Sequence, residues 1–191
     1  MKKNDFLKLN KEDLKGKIVC FSTDTVFGVG ALMNDVVAVK KIYALKHRDF
    51  NKPLAILASK VEDILPYIDS FPKEVRELMN KYWPGALTII FNKNKNTENK
   101  VNEEFKTVGF RIPASNIALD ILEKFGPMAT TSINLSGEAP LNDYKSIVDA
   151  FGDKIDYIIE DTAPSINVSS TVVDASTDNW KILREGSVKI K

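Results

Sequence analysis

The segment "PKEVRELMNKYWPGALTIIFN", residues 72–92, combines a helix, a sharp stop and a strand. Apolar residues recur at helical spacing over 72–83, and Pro84 and Gly85 then interrupt the helix. Residues 86–92 form an apolar run of strand length. A helix that leads directly into a buried strand is typical of α/β and α+β folds. The segment therefore predicts a sheet that is covered by helices.

The same alternation of helical and strand-like patterns continues on both sides of this segment. We predict strands at 17–22, 53–59, 107–113, 128–134, 155–160, 169–174 and 180–184, and helices at 34–46, 116–126 and 144–152. We expect Asn34 or Asp35 to cap the helix at 34–46, and Ser115 to cap the helix at 116–126. No internal repeat or linker divides the chain. We expect one domain over residues 1–191.

Two pairs of predicted strands follow one another without an intervening helix. They are 86–92 with 107–113, and 169–174 with 180–184. Because such short connections join antiparallel strands, antiparallel pairs should lie beside any parallel core. The fold class we predict is α/β, with α+β character: a twisted mixed parallel and antiparallel sheet with helices packed on it.

The composition is that of an ordinary globular protein. Of the 191 residues, 27 are basic and 26 acidic, so a net charge of +1 predicts no global attraction to nucleic acid. The first residues, "MKKNDFLKLNKEDLKGK", lack the apolar stretch of a signal peptide. No later run approaches the roughly 20 apolar residues of a membrane span. We expect a cytoplasmic protein with no membrane contact.

Cysteine and histidine each occur once, as Cys20 and His47, and this scarcity limits the chemistry. Zinc sites built from several Cys and His ligands are excluded, and a Ser/His/Asp triad would have to use His47. His47 lies between two cations, and we assign it no catalytic role. Cys20 lies in an apolar run and is expected in the core. We predict no metal site.

Polar segments recur where strands and helices end, and such loops are where ligand groups gather in open sheets. They are "STDTVFGVG" (22–30), "KHRDFNK" (46–52) and "TTSINLSG" (130–137). Gly28 and Gly30 form half of a dinucleotide fingerprint, but Met33 occupies the third glycine position, and no standard P-loop occurs. Bound phosphates would need another partner.

Lys46 and Arg48 are the strongest candidates for that partner. If residues 46–52 are extended, side chains two apart point the same way and form a pincer suited to a polyphosphate, with Lys52 nearby. The alternative is a lysine-rich helix end that satisfies its own terminal carbonyls. Residues 130–137 offer hydroxyl and amide donors, although a serine-rich turn explains them equally well.

Seven motifs in order carry a more specific signal than any one of them. They are "STDTVFGVG", "KHR…NKPL", "PGALTIIF", "VGFRIP", "TSINLSG", "SSTVVD" and "ILREGSV". In this order the chain resembles the YrdC-like family, the L-threonylcarbamoyladenylate synthases, from about residue 17 to residue 187. The resemblance implies a YrdC-like fold and an ATP-dependent nucleotidyltransferase.

Members of this family condense L-threonine, bicarbonate and ATP into threonylcarbamoyl-AMP and pyrophosphate. Partner proteins then transfer the threonylcarbamoyl group to a tRNA adenosine beside the anticodon. The family's K-x-R and S-x-N signatures match Lys46, Arg48, Ser132 and Asn134, which the resemblance places at the reaction site. It places L-threonine at Thr25, Arg111, Thr130 and Ser170. It places ATP at Arg48, Lys52, Thr107, Ser132, Pro140 and Arg184.

The chain departs from the family pattern at several positions. Ser22 replaces a proline, Phe27 replaces a common tyrosine, and Asp49 stands where proline often follows the K-x-R arginine. A carboxylate at Asp49 would repel phosphates unless it turns away. Leu57 stands where longer members carry a histidine near threonine. The chain resembles the short form of the family, without the extra carboxy-terminal domain.

The expected chemistry needs alignment and charge stabilisation rather than a protein nucleophile. Lys46, Arg48 and Arg184 are suited to stabilising phosphoryl oxygens, and Arg111 can pair with the threonine carboxylate. Mg²⁺ is expected to arrive with ATP, because no acidic ligand cluster is evident and Mg²⁺ is often held by phosphates and water.

Two alternatives remain at the level of the sequence. A non-catalytic module for double-stranded RNA or tRNA would use a basic patch of Lys46, Arg48, Lys52 and the lysines at 93, 95 and 100, and weak RNA binding is compatible with either function. A related enzyme could use the same site for another carbamoyl or acyl adenylate.

Overall fold

The computed structural model describes residues 1–94, 102, 104–135, 139–161, 166–177 and 179–190. The strands are β1 Val19–Phe21, β2 Gly28–Leu32, β3 Ala55–Leu57, β4 Leu87–Asn92, β5 Thr107–Arg111, β6 Met128–Ser132, β7 Tyr157–Ile158, β8 Thr171–Asp174 and β9 Lys181–Arg184. The α-helices are α1 Lys3–Phe6, α2 Val36–Lys46, α3 Lys73–Tyr82, α4 Asn116–Phe125 and α5 Tyr144–Phe151. Short 3₁₀ helices lie at Lys11–Leu14, Val61–Asp63 and Leu65–Tyr67.

All nine described strands form one mixed sheet, in the order β7-β1-β2-β6-β3-β5-β4-β8-β9. The pairs β1–β7, β3–β5 and β4–β8 are parallel, and the other neighbouring pairs are antiparallel. The two predicted antiparallel pairs, β4–β5 and β8–β9, are confirmed. The predicted mixed sheet with packed helices is therefore confirmed as the fold.

Helices cover the two faces of the sheet unequally. On one face, α2, α3 and α5 pack over a large apolar cluster that includes Val29, Ile89 and Phe110. On the other face, α1 and α4 pack over a smaller cluster that includes Phe21 and Met128. Strand residues alternate between these clusters, as pleated strands require.

The predicted helices form with the expected ends. Asp35 caps α2 by accepting a hydrogen bond from the Ala38 backbone N–H at 3.0 Å. Ser115 caps α4 by accepting from Ala118 at 3.3 Å. None of the described helices is long and apolar enough to cross a membrane. The cytoplasmic location stays a prediction.

The sequence patterns missed two features of the fold. Residues 22–30 were expected to form a loop, but Gly28 to Gly30 belong to β2, which pairs with β1 and β6. A strand with two glycines lacks the alternating side chains by which strands are recognised. The amino-terminal helix α1 was also unexpected, and it is anchored by Phe6, which is fully buried. Cys20 is buried as predicted.

Candidate functional site

A cavity of about 330 Å³ opens on the less covered face of the sheet. Its floor includes strand residues Gly28, Thr88, Gly109 and Thr130, whose chain neighbours pack in the large core on the opposite face. Because small and hydroxyl-bearing residues occupy these positions, the floor leaves space instead of packing against a helix. This cavity is the candidate site.

The structure brings most of the predicted site residues to this cavity. Seven of them line it: Arg48, Thr107, Arg111, Thr130, Ser132, Ser170 and Arg184. Lys46, Asn134 and Thr25 lie behind the lining and are hydrogen-bonded to it. Lys52 and Pro140 are not part of the lining.

Lys46 is buried beneath the cavity wall, and the predicted extended pincer is wrong. It is the last residue of α2, and His47 follows in a left-handed conformation with φ of 49°. Lys46 follows Val39 by seven positions, on the buried face of the helix. A helix end, rather than an extended chain, therefore carries the first of the two cations.

Three oxygens surround the Lys46 ammonium group. Its Nζ donates to the backbone oxygen of Ser132 at 2.5 Å, to the backbone oxygen of Asn134 at 2.6 Å and to Asn134 Oδ1 at 2.8 Å. These oxygens favour the charged form, but burial and the nearby Arg48 guanidinium outweigh them and lower the pKa of Lys46 to about 8. Lys46 thus holds the S-x-N segment in place through an ammonium group that loses its proton near pH 8.

The S-x-N segment continues from β6 into a turn that Lys46 organises. Ser132 Oγ donates to Asn134 Oδ1 at 2.6 Å, and Asn134 Nδ2 donates to the Leu135 backbone oxygen at 2.8 Å. Thr130, on the same face of β6, donates its proton to the Met128 backbone oxygen at 3.1 Å. The Thr130 hydroxyl is therefore left as an acceptor for a ligand donor.

Arg48 reaches the cavity from the loop after α2. Its Nε donates to the Lys52 backbone oxygen at 3.0 Å, and its Nη2 donates to the Pro53 backbone oxygen at 3.2 Å. Lys52 itself has an exposed side chain and supports Arg48 through its backbone. Asp49 is exposed and accepts a hydrogen bond from the Asn51 backbone N–H at 3.0 Å. That contact gives the Asp49 carboxylate a partner within its own loop.

Arg111 is held by three partners and is almost fully buried. Nη2 donates to Asp24 Oδ1 at 2.5 Å, Nη1 to Thr25 Oγ1 at 2.8 Å and Nε to the Gly85 backbone oxygen at 2.9 Å. Burial lowers the pKa of Arg111, and Asp24 acts in the opposite direction. A guanidinium carries more N–H donors than these contacts use, so Arg111 can still bind a ligand oxygen.

The Thr25 hydroxyl is already hydrogen-bonded to two side chains, which the sequence did not indicate. Its hydroxyl accepts from Arg111 and lies 2.9 Å from Thr23 Oγ1, whose own proton goes to the Val26 backbone oxygen at 2.7 Å. Thr25 must therefore be the donor in its contact with Thr23. It is 1% exposed, so it shapes the site by orienting Arg111.

A β-bulge directs Arg184 to the cavity side of the sheet. Val173 pairs with Ile182 and Val172 with Arg184, so Leu183 is an extra residue on β9. Ile182 consequently packs with the large core, while Arg184 lies at the cavity rim on the other face. Without the extra residue, Arg184 and Ile182 would share a face.

The paired glycines of β2 make room for Thr130. A Cβ on Gly28 would lie 2.8 Å from Thr130 Cγ2, and one on Gly30 would lie 2.9 Å from Thr130 Oγ1. Both distances are shorter than real Cβ contacts. This close approach explains the G-V-G sequence, which is not a dinucleotide fingerprint here.

The remaining departures from the family pattern have local explanations. Leu57, at the position where longer members carry a histidine, is 4% exposed and lines the cavity. Phe27 belongs to the large core. Ser22 donates a hydrogen bond to Asp161.

The described lining is rich in guanidinium groups and lacks carboxylates. Arg48, Arg111 and Arg184 line the cavity, whereas none of the described lining residues is Asp or Glu. Asp24 lies behind Arg111 and neutralises it. Within the part of the chain that the structure describes, no group of three or more His, Cys, Asp or Glu residues could hold a metal ion. The lining suits an anion better than a bare cation.

One member of the basic patch considered for RNA, Lys46, does not lie on the surface. Lys46 is 1% exposed and so cannot contribute to a surface patch. Lys93 Nζ donates to the Asn102 backbone oxygen. Residues 95 and 100 lie outside the described residues.

Sequence reasoning missed three side chains that shape the site. Thr23 and Thr88 line the cavity, and Asp24 pairs with Arg111. Thr88 gave a detectable signal, because it is the one hydroxyl within the apolar stretch 86–91. Asp24 and Thr23 were visible only as members of a polar loop.

Comparisons with known proteins give matches over most of the chain. The family Sua5_yciO_yrdC, described as "Telomere recombination", matches residues 14–186. The threonylcarbamoyl-AMP synthase of Pyrococcus abyssi is 33% identical over 178 residues, which are 93% of this chain and 52% of that protein. A putative threonylcarbamoyl-AMP synthase of Methanocaldococcus jannaschii is 33% identical over 98% of this chain and 87% of its own length.

A solved structure shows the same fold. The crystal structure of P. abyssi Sua5 complexed with L-threonine superimposes with a TM-score of 0.87 and 32% sequence identity. The match covers 96% of this chain and 54% of that one, so the chain spans about half the length of its Pyrococcus relative. The family match over residues 14–186, together with the curated synthases and the shared fold, shows that this chain belongs to the Sua5/YciO/YrdC family.

Proposed function

We propose that this protein condenses L-threonine, bicarbonate and ATP into threonylcarbamoyl-AMP and pyrophosphate. The observation that carries the proposal is the convergence of Arg48, Arg111 and Arg184 on one cavity with hydroxyl groups and no carboxylate among its described lining residues. A phosphate chain and a carboxylate are the ligands that such a set favours. The names of the relatives support the choice of reaction.

Threonine would lie where Arg111 and Ser170 meet the cavity floor. Arg111 has N–H donors left for a carboxylate, and the Thr130 hydroxyl can accept from the threonine amine or hydroxyl. The related Sua5 structure contains L-threonine, which supports threonine as the amino acid that is bound. Thr25 would act through Arg111, because its own proton is committed to Thr23.

ATP would extend from Thr107 toward Arg48 and Ser132, with Arg184 at the rim. Bicarbonate gives CO₂ and hydroxide, and the hydroxide takes up, as water, the proton that the threonine amine releases when its nitrogen bonds to CO₂. An oxygen of the resulting carbamate attacks the α-phosphorus while the bond to pyrophosphate breaks. The guanidinium groups would oppose the repulsion between the two anions and stabilise charge on the phosphoryl oxygens. Lys46 would keep Ser132 and Asn134 in position.

Mg²⁺ would be carried by ATP. The described lining offers hydroxyl groups but no carboxylate, and Mg²⁺ is often held chiefly by substrate phosphates and water. When bound to the phosphates, the ion would neutralise part of their charge. We also propose that partner proteins transfer the threonylcarbamoyl group to a tRNA adenosine beside the anticodon.

The proposal is tested by incubating the pure protein with ATP, Mg²⁺, bicarbonate and one amino acid at a time, while pyrophosphate release is followed. Threonine should give the highest rate. Serine lacks only a methyl group and should be slower by about 10- to 200-fold, whereas valine should be rejected more strongly because it leaves buried polar groups unpaired. If valine reacts as well as serine, the cavity does not read the hydroxyl.

Arg48→Ala provides the matching variant test. It should lower turnover by on the order of 10²- to 10³-fold, as expected for the loss of a charge-stabilising donor. Lys145→Ala, at an exposed ion pair on α5, is the control and should leave turnover unchanged. Equal rates for Arg48→Ala and the wild type would contradict the proposal.

A further inference from the structure

Thr88 is a cavity-lining hydroxyl outside the predicted substrate groups. It lies on β4 between Leu87 and Ile89, which are fully buried in the large core. Its own side chain points to the opposite face, where it is 5% exposed and lines the cavity. Strand β4, which lies between β5 and β8, thus presents a hydroxyl to the ligand space.

The Thr88 hydroxyl contacts Ser170, which immediately precedes β8 and lines the same cavity. Thr88 Oγ1 and Ser170 Oγ are 2.9 Å apart, and either atom can be the donor. Arg184 Nη2 lies 3.3 Å from the same Ser170 oxygen. Because a guanidinium group only donates, Arg184 must use a lone pair of Ser170.

The direction of the Thr88–Ser170 bond decides what Ser170 offers a ligand. If Thr88 donates, both neighbours use lone pairs of Ser170, and the Ser170 proton is free to point into the cavity. If Ser170 donates to Thr88, only a lone pair faces the ligand, and it would repel an anionic oxygen. The charge of Arg184 and the unused N–H donors of Arg111 favour an anionic oxygen in this cavity, so the first arrangement is favoured when a ligand binds.

We propose that Thr88 is a positioning residue that donates to Ser170 and thereby directs the Ser170 proton to an anionic oxygen of the threonine-derived substrate. The inference rests on the proposed function, because it requires a carboxylate or carbamate beside Ser170. Thr88 acts through Ser170 and touches no reacting atom. Its expected effect is therefore on threonine affinity more than on turnover.

Thr88→Val and Thr88→Ser form the matched pair that tests this role. Valine keeps the branched shape and removes the hydroxyl, whereas serine keeps the hydroxyl. Thr88→Val should raise both the Kd for L-threonine, measured by calorimetry, and the threonine KM by about 10-fold, with kcat changed by less than about 3-fold. Thr88→Ser should stay within about 3-fold of the wild type in all three.

A double-variant cycle separates this role from general packing. If Thr88 acts through Ser170, adding Thr88→Val to Ser170→Ala should weaken threonine binding by less than about 2-fold further. An unchanged Kd for Thr88→Val, or fully additive losses in the double variant, would overturn the inference. Should Thr88→Val lower the thermal midpoint markedly, Thr88→Cys, with its weaker donor, takes its place under the same criteria.

Measurements on the wild-type protein distinguish failure of the proposed function from failure of the role of Thr88. A wild-type protein that neither binds threonine nor forms an adenylate would overturn the proposed function and this inference with it. A wild-type protein that does both, but is indifferent to Thr88→Val, would overturn the inference alone.

Discussion

Arg184 donates to the backbone oxygen of Ser170 from both Nε, at 3.1 Å, and Nη2, at 2.9 Å. The family resemblance assigns Arg184 to ATP and Ser170 to threonine, so this contact places the two predicted groups side by side. Such proximity is required if a threonine carbamate is to reach the α-phosphorus. The bulge at Leu183 is what turns Arg184 toward Ser170.

Arg184→Lys should lower the rate of adenylate formation by about 10²-fold. A lysine keeps the charge but cannot make the paired contacts of a guanidinium group, so phosphate and Ser170 would compete for it. Steady-state pyrophosphate release measures the effect, and Lys181→Arg on the same strand is the control. A lysine variant with wild-type rates would show that the paired geometry is unimportant.

Binding of Mg·ATP should weaken as the pH rises through about 8. Below that pH Lys46 is charged, and above it the neutral amine has one proton fewer with which to hold Ser132 and Asn134 in the geometry that binds phosphate. The loss should reach about 10-fold roughly one unit above the pKa. In Lys46→Arg the guanidinium group stays charged throughout this pH range. The affinity of this variant for Mg·ATP, measured by calorimetry, should therefore not change with pH. Parallel pH curves for both proteins would contradict this assignment.

Asp24→Ala should lower the free energy of unfolding by about 3 to 5 kcal/mol. It leaves Arg111, which is only 6% exposed, without its counter-charge. Lys145→Ala removes an ion pair whose side chains are 85% and 62% exposed and should leave the free energy of unfolding almost unchanged. Urea unfolding of both variants gives the comparison, and equal losses would mean that Arg111 does not depend on Asp24.

Gly109→Ala should fold normally but bind substrates more weakly. A Cβ there would lie 3.5 Å from Thr88 Cγ2 and from Ile90 Cγ1, which is ordinary contact, yet it would occupy the cavity floor. We expect an unchanged thermal midpoint and a KM raised by about 10-fold for at least one substrate. Gly28→Ala, with its 2.8 Å approach to Thr130 Cγ2, should lower the midpoint as well. Unaltered kinetics in Gly109→Ala would place the substrates elsewhere.

The sequence patterns predicted the sheet well because most strands are apolar runs with clear ends. Strands β4 and β5 and helices α3 and α4 follow from apolar spacing, a Pro-Gly stop and a serine cap. Strand β2 was not predicted because its glycines are explained by the close approach of Thr130, which is about 100 residues away along the chain. Local periodicity contains no information about such a contact.

The sequence predicted which residues belong to the site but not how their side chains are arranged. Ordered motifs brought Arg48, Arg111 and Arg184 together correctly, since all three line the cavity. The predicted helix 34–46 ends at Lys46 as observed, but the direction of the Lys46 side chain was predicted incorrectly because the charge pattern carries no information on the helix face, and position 46 lies on the buried face of α2. The partnership of Asp24 with Arg111 spans 87 positions and had no signal in either segment.

Mass spectrometry of the nucleotide product formed from ATP, Mg²⁺, L-threonine and ¹³C-bicarbonate tests the proposed reaction. We expect threonylcarbamoyl-AMP that carries the label, with an equal amount of pyrophosphate, and a strongly reduced yield from Arg48→Ala. A wild-type protein that forms no adenylate, or forms one without the bicarbonate carbon, would contradict it.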